Sequence, residues 1–102
     1  MTNPEYLQDK IQSIIQLYSN NEVHEALEQI ELLIDQYPND ALLHNLNGAC
    51  YASLDELDKA ISCYNIALTI NPNYAEAYWK KGELLLIIKK EKILGLNDAD
   101  LH

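Results

Sequence analysis

Residues 48–72 read GACYASLDELDKAISCYNIALTINP, and the glycine, an alanine and the proline of this stretch each recur elsewhere at one offset. Gly48 matches Gly82, Ala60 matches Ala26 and Pro72 matches Pro38, always 34 residues apart. One offset shared by three chemically different residues is a repeat register, the mark of a stacked array rather than of a single central core. Within the stretch, Gly48 and Ala60 are small enough for two antiparallel helices to approach closely, and Tyr51 and Tyr64 supply bulk either side of that contact. Ala67 leaves room for the following helix. Pro72 cannot continue a helix and closes the unit, before Asn73 and Glu76 as the expected N-cap and N3 of the next.

Gly48, Tyr51, Ala60, Tyr64, Ala67 and Pro72 in this order resemble the tetratricopeptide repeat (TPR), a helix-turn-helix unit of the same period. The resemblance implies an all-α fold, a right-handed α-solenoid of antiparallel helix pairs. It also implies one domain over residues 1–102, with repeats at about 7–40, 41–74 and 75–102.

Each repeat keeps part of the pattern. In the first, Asn3 as N-cap and Pro4 at the first helical position start a helix with Ile11, Ile14, Ile15 and Tyr18 on its apolar stripe. Asn20 and Asn21 turn the chain, and Val23, Leu27, Ile30, Leu33 and Ile34 mark the partner helix. Ile14 stands where the other repeats have glycine, which suits a terminal repeat. The central repeat departs only at His44 and Asn47, and Asp55 is the expected cap of its second helix. The third begins regularly with Tyr74, Ala75, Tyr78, Gly82 and Leu85, then diverges. Leu94 replaces the register alanine, Gly95 and Asn97 weaken a helix, and residues 89–102 are expected to be irregular. Leu84 to Ile88 is therefore an apolar run without the usual polar capping helix. The chain's own tail, a second copy, or the continuation of a longer protein are the candidates to cover it.

Composition narrows the function. The 102 residues carry a formal charge of -9, from 16 acids against 7 lysines with no arginine, which leaves little to hold a phosphate backbone. Nucleic acid is not an expected partner. Twelve of the acids and only two lysines precede residue 80, so the basic residues gather at the C-terminal end. No basic and apolar leader is seen and no apolar run reaches the length of a membrane span, so no membrane partner and a cytoplasmic location are expected. Cys50 and Cys63 fall on the two helices of the central repeat and read as buried thiols in a reducing compartment. Gly-rich phosphate loops, nucleophile triads and zinc-spaced cysteines are all missing, so neither catalysis nor a cofactor or metal is expected.

The resemblance places the binding surface on the concave face formed by the first helix of each repeat. Residue by residue that face is Gln8, Ile11, Ile15 and Tyr18, then Leu42, Asn45, Ala49 and Ala52, then Glu76, Trp79, Glu83 and Leu86. It reads as a groove for a peptide or protein segment, with Tyr18 and Trp79 as anchors and Asn45 as a hydrogen-bonding post. Against it stands plain packing between repeats. One subgroup of the family holds acidic chaperone tails with basic and amide side chains. The matching positions here are Ile11, Ile15, Leu46, Glu76 and Lys80, and only Lys80 fits. A neutral, apolar or basic segment is the better match to Glu76 and Glu83. Two other readings remain. One is a self-associating module, a homodimer through Leu84, Leu86, Ile87 and Ile88. The other is an accessory region of a larger enzyme, since related repeats occur on bacterial transferases. Glu25, Glu28, Glu31 and Asp35 suit a solvated outer face better than an acidic docking ridge. His24 and Glu28, one turn apart, lack a convergent third metal ligand.

Overall fold

Two residues in the left-handed backbone region set the repeat. Asn21 has φ 67° and Asp55 has φ 62°, and they lie 34 residues apart. The computed structural model describes residues 4–101, and the side chains of residues 5–95. Its helices are α1 (Pro4–Ser19), α2 (Val23–Gln36), α3 (Ala41–Ser53), α4 (Leu57–Ile70) and α5 (Ala75–Leu101), with no strand among the described residues. The expected Asn3 cap lies outside them.

The turns from α1 to α2 and from α3 to α4 are copies of one another. Asn21 N–H donates to the Tyr18 carbonyl and Glu22 N–H to that of Leu17, at 3.0 and 2.8 Å. Asp55 N–H donates to Ala52 and Glu56 N–H to Tyr51, at 3.0 and 2.9 Å. This pairing closes a helix around one left-handed residue, a conformation that asparagine and aspartate tolerate better than most. Asp55 is therefore the turn residue and not the cap of α4. That position is Glu56, whose side chain makes no capping bond.

The turn from α2 to α3 depends on side chains. Asp40 caps α3 by accepting from Leu43 N–H at 3.2 Å. His44 is buried, and its Nε2–H donates to the Pro38 carbonyl at 2.8 Å. In the next turn Asn71 Oδ1 accepts from Asn73 N–H at 3.1 Å. α5 begins at Ala75, so Tyr74, one residue later than the expected Asn73, stands where Asp40 stands in the preceding repeat.

The core runs along the stack. Ile11, Ile14, Val23, Ala26, Ile30, Leu33, Leu43 and Cys50 form one cluster. Ala60, Tyr64, Ala67, Leu68, Ala77 and Leu84 form the next. The register alanines Ala26 and Ala60 are completely buried. At Gly48 a Cβ would stand 2.8 Å from the Tyr64 ring, so this glycine lets the largest fully buried side chain close the α3–α4 contact. Burial pushes the Cys50 and Cys63 thiols, which are free, up to about 11, and it raises the Tyr64 hydroxyl as well.

Two expectations for the C-terminal segment change. The chain does not become irregular after Ile88; α5 continues as one helix to Leu101. The residue 34 positions after Asp55 is Lys89, within Lys-Lys-Glu-Lys, a run of helix formers with nothing suited to positive φ. The apolar run from Leu84 is also divided by the helix. Leu84 is buried against α4, whereas Leu85, Leu86 and Ile87 are exposed.

Candidate functional site

A trough crosses the first helices of the three repeats, α1, α3 and α5. Its first part is a cleft of about 330 Å³. Ile15 and Tyr18 form one wall, Leu42, Asn45, Leu46 and Ala49 the floor, and Glu76 and Lys80 the far rim. The second part, about 300 Å³, shares Tyr18, Ala49 and Lys80 with the first and adds Ala52, Ser53, Glu83 and Ile87. On α3 the sequence Leu42, Leu46, Ala49, Ser53 advances by four, three and four, which keeps all four residues on one helix face.

Asn45 is the unusual member. It is only 4% exposed, it lines the first cleft, and its Oδ1 accepts no hydrogen bond from the protein. A buried amide oxygen left so costs about 1–3 kcal/mol, which apolar side chains of similar shape avoid. Asn47 also has an unpaired Oδ1, but it lines neither cleft. Tyr18 is held in place: its hydroxyl and Ser53 Oγ are 2.9 Å apart, which ties α1 to the end of α3 across the trough.

The rim is mostly acidic, with Glu76, Glu83 and Asp55 against Lys80. The Lys80 ammonium lies 5.2 Å from the centre of the Trp79 ring, close enough for a cation–π contact.

Of the expected groove residues, Ile15, Tyr18, Leu42, Asn45, Ala49, Ala52, Glu76 and Glu83 line the trough, and Gln8 does not. Ile11 is buried in the first core cluster. Trp79 and Leu86, 60% and 63% exposed, line neither cleft, because they project from a part of α5 turned away from α3. Leu46 and Lys80, named from sequence only as positions matching a chaperone-tail site, also line it, and Ser53 and Ile87 join the trough without having been assigned to it from sequence. Their spacing from Leu42 and Glu83 is the signal that identifies them. Among the described residues no three His, Cys, Asp or Glu side chains converge as metal ligands, and no helix is long and apolar enough to cross a membrane.

Residues 48–86 match the family described as TPR repeat. Anaphase-promoting complex subunit 3 of Dictyostelium discoideum is 36% identical over 56 residues, which is 55% of this chain and 6% of that protein. The chain thus spans a small fraction of that curated relative. Among solved structures, the TPR2AB domain of yeast Sti1 in a pHSP90 complex superposes with a TM-score of 0.79 at 23% identity, over 89% of this chain and 35% of that one. The TPR2B domain of Sti1 in a pHsp70 complex gives 0.77 at 21%, over 83% and 68%. MamA 41-end from Desulfovibrio magneticus RS-1 gives 0.75 at 23%, over 84% and 49%. At these identities the likeness shows the fold, an α-solenoid of helical repeats.

Proposed function

We propose that this chain, a tetratricopeptide-repeat protein, is a non-catalytic scaffold that binds an extended protein segment in the trough across α1, α3 and α5. The observation that carries the reading is Asn45. An amide kept in a buried, otherwise apolar floor, with its oxygen unpaired within the protein and covered until the side chain turns toward the cleft, suits a partner that supplies an N–H donor. Main-chain amides of an extended segment are such donors, and the apolar surface of Ile15, Leu42 and Ala49 accepts its side chains. Tyr18, fixed by Ser53, is an anchor that loses little freedom on binding.

The acidic rim favours a neutral, apolar or basic segment. The pHsp70 and pHSP90 complexes of the Sti1 domains support a protein partner in general. An acidic chaperone tail is a poor match here, with Glu76 on the rim, Ile15 in the wall and Leu46 in the floor. Our reading puts the scaffold in the cytoplasm, where buried thiols such as Cys50 and Cys63 stay reduced.

Selection of a random-peptide display library on the immobilised chain tests the proposal. Enriched sequences should be apolar with basic residues, and Ala49→Trp, which fills the floor of both clefts, should abolish their capture while helicity is retained. Failure to enrich any sequence, or capture indifferent to Ala49→Trp, would reject the trough as the binding surface.

A further inference from the structure

We propose that the face of α5 turned away from α4 pairs with the same face of a second copy, antiparallel and about a twofold axis near Gly82. Ala77 and Leu84 fix the side of α5 buried against α4. Roughly opposite them Tyr78, Trp79, Gly82, Leu85, Leu86 and Ile93 fall within one broad sector, about a third of the helix circumference, in which the exposed Lys89 also lies. The five large side chains among them are 47–63% exposed. Two aromatic side chains of roughly 150–250 Å² each and three aliphatic ones, about half exposed, offer several hundred Å² of apolar surface. That is most of the centre of an interface that takes about 800 Å² from each partner.

Gly82 sits in the middle of this stripe, and a Cβ added there would meet nothing within 4 Å. Its register mate Gly48 is the point at which α4 closes on α3. The stripe therefore has the small-residue notch of a close helix crossing but no helix of its own chain to fill it.

The outward face of α1 decides between occupants. That face is Glu5, Asp9, Gln12 and Gln16, polar throughout and exposed. A head-to-tail array would need an apolar face at both ends, so the apolar α5 stripe is matched in this chain only by itself, as in an isologous dimer. The interaction is independent of the trough, which lies on α1, α3 and another side of α5.

Sedimentation equilibrium of the chain at high micromolar concentration tests the proposal, with circular dichroism as the check on folding. Wild type should sediment at twice 11.7 kDa. Gly82→Gln, which has open space within one copy, should stay fully helical and weaken the dimer at least roughly tenfold, since a side chain at the crossing forces the helices apart. Leu86→Glu, at an exposed position of the stripe, should also stay helical and weaken it. A monomeric wild type, or a dimer indifferent to Gly82→Gln, would overturn the proposal.

Discussion

Gly48 and Gly82 occupy the same register position with different neighbours, so one substitution has opposite effects at the two sites. Gly48→Ala drives a Cβ to within 2.8 Å of the Tyr64 ring and should cost about 1–3 kcal/mol by overpacking. Gly82→Ala meets no neighbour and should gain about 0.5–1 kcal/mol from helix propensity. Chemical denaturation of both variants at low protein concentration, where assembly does not contribute, measures the contrast. The close contact at Gly48 was legible in the sequence because both its helices were. The same logic applied to Gly82 finds the glycine but not its surroundings, since those depend on a helix the chain does not provide. A second residue-scale effect is alkaline. Cys50 and Cys63 ionise near 9.0 when unfolded and at about 11 when folded. The native state therefore holds its protons longer, and this contribution to stability is complete below pH 9 and lost as pH rises through 11. Urea midpoints should fall across that window, and replacing both cysteines by alanine should flatten the fall.

At the scale of the element, what separates a helix pair from one long helix is a single backbone position. Asn21 and Asp55 adopt positive φ and end α1 and α3, whereas Lys89 at the next register position lets α5 run on. Valine at Asn21 or Asp55 should cost about 1–2 kcal/mol, because a β-branched residue is strained in the left-handed region. Lys89→Val should cost only the few tenths of a kcal/mol of helix propensity. Thermal melts of the three variants distinguish these outcomes. Asn20 and Asn21 were legible as a turn, but Asp55 reads equally well as a cap, because the same short carboxylate serves both roles. Gly95 and Asn97 likewise predicted an irregular tail. Propensity is a weak prior over so short a span, and lysines and leucines around them carry the helix through.

For the whole molecule, the 34-residue register made the stack legible and with it the side of each first helix that forms the trough. Most of the expected groove residues follow from that side alone. Gln8, Ile11, Trp79 and Leu86 did not, since a helix position fixes an angle but not which neighbours stand beside it. Ile11 is taken up by α2, and Trp79 and Leu86 by the open end of α5. The molecule thus has two separate surfaces, a trough that keeps one polar atom unpaired and an apolar stripe at the last helix. The claim that matters most is that Asn45 recognises the backbone of a bound segment. Titration calorimetry of a display-selected peptide against wild type and Asn45→Leu tests it most directly, in parallel with peptides N-methylated at successive residues. The account predicts that Asn45→Leu melts no lower than wild type and binds roughly 3- to 10-fold more weakly, the loss expected for one hydrogen bond. It also predicts that one N-methylated peptide, without the donor, binds the two proteins equally. Undiminished binding by Asn45→Leu, or a loss that persists for every methylated peptide, would contradict it.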